Sequence, residues 1–121
     1  MTLFPQLHIT ESGRPVRTVE VTGVVTVGRD SDNDIVLDEV TVSRCHALLL
    51  TRPADVLLMD LGSTNGTFVN DVQAAPDESV RLADGDVITL GQVVLRYHAP
   101  PSIKWLDEGS QSVCGLNGLQ A

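Results

Sequence analysis

The chain has 121 residues, of which 42% are hydrophobic, and a formal net charge of −8. This length suits one domain with its own core, and the acidic balance argues against nucleic acid or an anionic membrane surface as the partner. No run of about 18 apolar residues is present to cross a bilayer, and residues 1–9 lack the basic and apolar segments of a signal peptide. The two cysteines lie in unlike contexts, so we expect a reducing, cytoplasmic setting.

Short β-branched runs separated by turn residues follow one another along the chain, whereas helical periodicity is absent. The turn at residues 53–55 and the dipeptides Asp84-Gly85 and Gly91-Gln92 are each predicted to close a β-hairpin. The predicted strands are residues 3–9, 17–22, 24–28, 35–37, 46–51, 56–60, 67–69, 79–82, 86–90 and 93–97. This spacing predicts an all-β fold, a two-sheet antiparallel β-sandwich of about 10–11 strands.

The folded unit is predicted to end at Pro100-Pro101. Residues 1–100 then form one domain, and residues 101–121, which are rich in Gly, Ser and Asn, form a C-terminal linker or tail. Two alternatives stay open for Trp105 and Leu106, which either dock on the sandwich or remain in the tail. A stand-alone adaptor and a piece of a larger protein are likewise both compatible with this layout.

Three inter-strand loops contain polar residues that strand formation does not require. They are residues 28–34, 41–46 and 62–70. Because such loops cluster at the two ends of a sandwich, they can meet in space. Ser43 and His46 in the second loop suggest a nucleophile with its base, but residues three apart in extended chain point to opposite faces. No Gly-x-Ser-x-Gly turn surrounds Ser43 either, so we predict no catalytic residue and no enzyme.

A metal site is also a poor fit to these loops. Asp30, Asp32 and Asp34 resemble the start of a calcium loop, but Ile35 and Thr41 occupy the positions where Gly and Glu are needed. The three histidines are too scattered to suggest zinc. We therefore predict neither a metal nor a cofactor.

Three motifs occur in a particular order: Gly28-Arg29, then Ser43-Arg44-x-His46, then Asp60-Leu61-x-Ser63-x-Asn65-Gly66-Thr67-x-Val69-Asn70. With residues 82–91, they resemble the signature of the forkhead-associated (FHA) domain over about residues 3–98. The resemblance implies an FHA/SMAD-like sandwich that binds a phosphothreonine-containing protein or peptide. It also implies a signalling adaptor downstream of Ser/Thr kinases, whose partner is a kinase or its substrate. The alternative is a phospho-independent assembly module that uses a face of the sandwich.

The resemblance also assigns roles to single residues. A phosphate has close to two negative charges and three acceptor oxygens, which guanidinium and hydroxyl groups satisfy. The residues implied to hold it are Arg29, Ser43, Arg44 and Thr64. Asn65 is implied to bond the ligand backbone, and Thr41 to set the preference for neighbouring ligand residues. Structural support is expected from Gly28, His46, Gly66 and Asn70, with the two glycines supplying positive φ. Cys45 stands where the family often has a basic residue.

Overall fold

The computed structural model describes residues 4–100, and in that range the chain forms eleven β-strands and no helix. The strands are β1 (Gln6–Thr10), β2 (Arg17–Glu20), β3 (Val24–Gly28), β4 (Ile35–Val36), β5 (Ala47–Thr51), β6 (Val56–Asp60), β7 (Thr67–Val69), β8 (Val72–Gln73), β9 (Ser79–Arg81), β10 (Val87–Leu90) and β11 (Val93–His98). The all-β prediction is therefore confirmed. Residues 4–100 contain no helix long and apolar enough to span a membrane.

The strands form two sheets. The first has the order β2-β1-β11-β10-β7-β8, and the second has the order β4-β3-β5-β6-β9. The predicted β-sandwich is confirmed, with one difference in detail. The short edge strand β4 runs parallel to β3, so the five-stranded sheet is mixed.

The core lies between the sheets and is almost wholly aliphatic. Along β3, β5 and β6 buried and partly exposed side chains alternate, as expected when one face of a strand packs inward. Each fully buried Val, Leu or Ile contributes roughly 1.5–3 kcal/mol by leaving water. The largest side chains in this core are Leu7, Ile9, Leu37, Leu49, Leu58, Leu82, Ile88, Leu90, Leu95 and Tyr97.

Two of the three predicted hairpins are correct, and the third is wrong. The turns at residues 52–55 and 91–92 join β5 to β6 and β10 to β11 as antiparallel neighbours. The turn at Asp84-Gly85 is tight, with Gly85 at φ 89°, but it does not close a hairpin. Strand β9 pairs with β6 instead, so this turn transfers the chain from one sheet to the other. Local turn chemistry could not distinguish a hairpin from a crossover.

Strand β8 was not predicted. It follows Asn70 and Asp71, which adopt φ values of 50° and 68° and close a two-residue hairpin from β7. An Asn-Asp pair between short apolar runs is a known signal for this turn type, so the hairpin could have been inferred. The predicted tail at residues 101–121, including Trp105 and Leu106, lies outside the described residues.

The polar loops lie at one end of the sandwich, which we call the loop pole. It comprises residues 29–34, 37–46, 61–66 and the turn at 91–92, where β3, β6 and β10 end and β5, β7 and β11 begin. The opposite end, the far pole, holds the turn at residues 52–55 and the crossover at 82–86. Strand direction alone therefore brings three loops that are far apart in sequence to one end of the molecule.

Candidate functional site

The three polar loops are joined to one another by hydrogen bonds at the loop pole. The backbone N–H of Arg29 donates to the carbonyl of Ser43 at 3.0 Å, and that of Asp30 donates to the carbonyl of Arg44 at 3.2 Å. The hydroxyl of Ser43 accepts the N–H of Thr64 at 3.0 Å. These bonds hold the first and third loops on either side of the second.

A cavity of about 590 Å³ opens between these loops, lined by Arg29, Asp30, Ser43, Arg44, Cys45 and Thr64. All four residues implied to hold a phosphate are among them. Asn65 does not line it, although it is the next residue along the chain. Cys45 is exposed and forms no disulfide within residues 4–100, so at its position the cavity wall carries a thiol and no positive charge.

Two guanidinium groups supply the positive charge of the cavity. The Nε of Arg29 donates to the carbonyl of Val42 at 3.0 Å, which orients the guanidinium while leaving its terminal nitrogens available. The side chain of Arg44 is exposed. Within residues 4–100 no carboxylate forms an ion pair with either arginine, so their charges are not neutralised inside the domain.

Gly28 allows the first two loops to approach closely. A Cβ there would overlap the carbonyl oxygen of Arg44 and lie 2.8 Å from the Nδ2 of Asn33. That Nδ2 group donates to the carbonyls of Arg44 at 2.7 Å and Asp30 at 2.8 Å, which ties the two loops together. The expectation of a positive φ is correct for Gly66, at 84°, but it is wrong for Gly28, whose φ is not positive. Gly28 is required for space and not for backbone conformation.

His46 ties the second loop to the third from inside the protein. Its ring is fully buried. Nδ1 accepts the N–H of Ser43 at 3.0 Å, and Nε2 lies 2.9 Å from the carbonyl oxygen of Gly66. Because Nδ1 accepts, the ring proton resides on Nε2 and is donated to Gly66. The ring contacts the backbone of Ser43 and not its hydroxyl, so the two do not form a nucleophile–base pair.

Asp60 anchors the third loop, a role that the sequence analysis did not assign. One carboxylate oxygen accepts the N–H groups of Gly62 and Ser63, at 2.9 and 3.1 Å. The other accepts the hydroxyls of Ser63 and Thr67, at 2.5 and 2.6 Å. Burial raises the pKa of Asp60, but the hydrogen bonds from Ser63, Thr67 and Gly62 outweigh it and leave the pKa below its usual value. An Asp that precedes Gly and Ser at this spacing is a turn signal that could have revealed the role.

Thr41 connects the second loop to two neighbours. Its carbonyl accepts the side-chain N–H of Asn65 at 2.8 Å, and its hydroxyl accepts the N–H of Gln92 at 2.9 Å. The same hydroxyl donates to Glu39 at 2.9 Å. The backbone and hydroxyl hydrogen bonds from Thr41 lower the pKa of Glu39. The Thr41 hydroxyl is thus already engaged within the protein.

Asn70 lies at the other end of β7 from the cavity. Its amide oxygen accepts the N–H of Val87 at 2.9 Å, and its amide nitrogen donates to Asp86 at 2.9 Å. These bonds brace the β7–β8 turn against the start of β10. Asn70 therefore supports the sheet beneath the third loop and does not contact the cavity.

Comparison with known proteins assigns the family. The family model of the FHA domain matches residues 25–91, and the chain belongs to the FHA domain family. A solved structure from a structural and functional analysis of phosphothreonine-dependent FHA domain interactions is 34% identical, with a TM-score of 0.72. The alignment covers 81% of this chain and 98% of that one.

Two curated relatives are longer proteins. The glycogen accumulation regulator GarA of Mycolicibacterium smegmatis is 40% identical over 87 residues, which cover 72% of this chain and 52% of that protein. An ABC transporter ATP-binding/permease protein of Mycobacterium tuberculosis is 45% identical over 75 residues, covering 62% of this chain and 8% of the transporter. The chain thus spans about half the length of one relative and a small part of the other.

Proposed function

We propose that this FHA domain binds phosphothreonine-containing peptides at the loop pole and serves as a signalling adaptor downstream of Ser/Thr kinases. The observation that carries the proposal is the cavity in which Arg29 and Arg44 converge with Ser43 and Thr64. Two guanidiniums that form no ion pair within residues 4–100, next to two hydroxyls, match the charge and the acceptor oxygens of a phosphate dianion. The similar solved structure, which concerns phosphothreonine-dependent FHA interactions, supports the same function.

The residues in and beside the cavity would contact different parts of the ligand. Arg29 and Arg44 neutralise the phosphate and donate paired N–H groups. The Ser43 oxygen already accepts from Thr64, so its own O–H proton is free to be donated to the ligand. Asn65 is exposed, and its amide nitrogen is held by the Thr41 carbonyl. Its amide oxygen is then left to accept a backbone N–H beside the phosphothreonine.

The wider role follows from this binding chemistry. A domain that binds a phosphothreonine without transforming it acts as an adaptor and not as an enzyme. Such an adaptor works where its protein kinases act, and we place it in the cytoplasm. Its partner is then a kinase or a kinase substrate. The similarity to the regulator GarA supports such a role.

The direct test is a titration of a phosphothreonine peptide library against the domain, by calorimetry or fluorescence polarisation. Each peptide is paired with its unmodified twin and its phosphoserine twin. We expect binding only of phosphorylated peptides, with phosphothreonine preferred. Affinity should fall with added salt and below about pH 6, where the phosphate takes up its second proton. The proposal is wrong if no phosphopeptide binds better than its unmodified twin.

One observation favours a second candidate, a phospho-independent assembly module. The outer face of the five-stranded sheet carries solvent-accessible aliphatic side chains, away from the cavity. Binding through this face would survive both phosphatase treatment of the partner and loss of Arg29. Binding at the loop pole would survive neither treatment.

A further inference from the structure

The outer face of the five-stranded sheet is apolar, although it points away from the core. Side chains of β3, β5 and β6 that alternate with core residues project from this face. Solvent reaches all of them, and Val24 is 55% exposed. The members of this outer patch are Val24, Leu48, Leu50, Leu57 and Met59.

The strand register arranges the outer patch in two rows across the sheet. The row nearer the far pole reads Val24, Leu50, Leu57 and Arg81 from β3 to β9. The row nearer the loop pole reads Thr26, Leu48, Met59 and Ser79. Aliphatic side chains therefore occupy the middle of both rows without interruption, and polar groups lie at three of the four ends, Val24 being the exception.

The outer face of the six-stranded sheet provides an internal contrast. There the side chains of β1 and β11 that alternate with core residues are mostly polar: Gln6, His8, Thr10, Val94, Arg96 and His98. Sandwich formation alone thus does not require an apolar outer face. The largest contiguous apolar patch on the surface of a domain is often functional.

We propose that the outer patch is the interface of a two-fold symmetric homodimer whose axis runs along the strands. Such an axis places each row on the same row of the second copy, in reversed order. Leu50 then faces Leu57 of the second copy, and Leu48 faces Met59, so apolar groups meet apolar groups. Two sheets packed in this aligned way lie about 10 Å apart with their side chains interdigitated.

Charge complementarity selects this axis over one that runs across the strands. Asp34 directly precedes the edge strand β4 and lies beside β3, where its carboxylate accepts the N–H of Thr26 at 2.9 Å. Arg81 lies on β9 at the opposite edge, with its Nε 3.4 Å from Asp55. The axis along the strands brings Arg81 of each copy over Val24 of the other, one row from Asp34. The axis across the strands stacks β9 on β9 and keeps these charges apart.

The size of the outer patch indicates weak association. Four strands and two rows span roughly 20 Å by 14 Å, from strand spacing and rise. A standard stable interface buries about 800 Å² per partner, so this patch is the apolar centre of a small interface with a Kd in the micromolar range. Dimerisation would therefore respond to local concentration, for example on clustered partners.

The two cavities of such a dimer would lie side by side. An axis along the strands leaves both loop poles pointing the same way, so both cavities open towards the same partner. When one phosphothreonine of a doubly phosphorylated partner is bound, the second is held close to the other cavity, so its effective concentration there is high and the overall affinity rises. This consequence rests on the proposed function, whereas the dimer itself does not.

Sedimentation equilibrium of residues 1–121 tests the dimer. We expect the apparent mass to rise from 13.0 kDa towards twice that value as concentration increases. Leu50→Asp should keep the monomer mass at all concentrations, whereas Val94→Asp, an equally outward change on the other sheet, should dimerise like the parent. Circular dichroism and thermal unfolding check that both variants fold. A parent that stays monomeric at about 1 mM, well above a micromolar Kd, would overturn the proposal, as would equal loss of dimer in both variants.

A charge exchange tests the axis. Asp34→Arg and Arg81→Glu should each weaken the dimer, and the double variant should regain most of the association, since the pair is restored with reversed signs. If the single variants weakened the dimer only because Asp34 lost its contact with Thr26 or Arg81 lost its contact with Asp55, the double variant would not regain association. An additive loss in the double variant contradicts the axis.

The single tryptophan, Trp105, tests a competing occupant, the segment 101–121 of the same chain. If Leu50→Asp shifts Trp105 emission to longer wavelength under conditions where both proteins are monomers, that segment covers the patch and the dimer proposal falls. Emission that is unchanged by the substitution in the monomer supports the dimer.

Discussion

The hydroxyl oxygen of Ser43 accepts a hydrogen bond from the backbone N–H of Thr64 at 3.0 Å, across 21 positions of sequence. This bond joins two loops that enter the cavity from different strands. It also uses one lone pair of the Ser43 oxygen and leaves the hydroxyl proton available. One side chain can therefore hold the cavity together and donate to an anion inside it.

Arg29→Ala should remove most phosphopeptide affinity. A hydrogen bond to a charged group contributes about 1.5–3 kcal/mol, so loss of one such contact corresponds to roughly a tenfold to hundredfold weaker Kd. Calorimetry with one phosphothreonine peptide measures the change. Arg96→Ala, which removes an exposed guanidinium from the outer face of the six-stranded sheet, is the matched control and should bind normally. Equal affinities of the two variants would contradict the assignment of Arg29.

Cys45→Arg should strengthen phosphopeptide binding. The side chain lines the cavity and is exposed, so a guanidinium there adds a third positive charge close to the phosphate. We expect a several-fold lower Kd at low salt and a steeper salt dependence. Cys45→Ser separates the effect of charge from loss of the thiol and should leave the Kd unchanged. A Cys45→Arg variant with the parent affinity would show that this wall of the cavity does not face the phosphate.

His46→Ala should destabilise the whole domain. It removes a fully buried ring and leaves the N–H of Ser43 and the carbonyl of Gly66 without their partner. Loss of packing and of both hydrogen bonds predicts a decrease of about 2–4 kcal/mol in the free energy of unfolding. Urea denaturation measures it, with His8→Ala on the outer face of the six-stranded sheet as the control, expected to cost less than about 1 kcal/mol. A small change at His46 would mean that the ring is not the tie between the loops.

Gly28→Ala should disturb the cavity more than a substitution at a glycine with positive φ. The added methyl group overlaps the backbone carbonyl of Arg44, which no side-chain rotation can relieve. Gly62 is the comparison, because it has φ 80° and a methyl group added there would meet no atom within 4 Å. Gly62→Ala therefore costs only backbone strain, of about 1–2 kcal/mol. We expect weaker phosphopeptide binding and a lower melting temperature for Gly28→Ala. Identical behaviour of the two variants would refute the steric argument.

Acid should unfold the domain partly through Asp60. Hydrogen bonds hold the pKa of Asp60 below its usual value in the folded state, while the unfolded chain has a pKa of about 3.9. The carboxylate therefore contributes stability that is complete above the unfolded pKa and is lost as pH falls through the folded one. Urea denaturation between about pH 7 and pH 3 should show this decline. Asp60→Asn should be less stable at neutral pH, because an amide offers one acceptor oxygen and no negative charge to the four donors that the carboxylate accepts, and should decline less in acid. A parallel decline in both proteins would exclude Asp60 as a source of the acid sensitivity.

The strand content and the residues of the cavity could be predicted because both have local signals. Alternating apolar runs and turn residues indicated the strands, and the motifs around Arg29, Ser43 and Thr64 indicated the loops. The crossover at Asp84-Gly85 could not be predicted, since the choice of β6 as partner for β9 depends on contacts distant in sequence. The parallel pairing of β4 with β3 has the same origin.

The amino-acid sequence alone indicated the family, the all-β class and the polar loop residues that neither the strands nor the core require. How those residues act on one another emerged from the folded chain: Gly28 makes room for the carbonyl of Arg44, His46 donates to Gly66, and Asp60 gathers four donors. The fold likewise places Leu48, Leu50, Leu57 and Met59 on one outward face. The physical reason is that local preference follows from a residue and its neighbours, whereas hydrogen-bond partners and shared faces depend on strand register, which the whole sandwich sets.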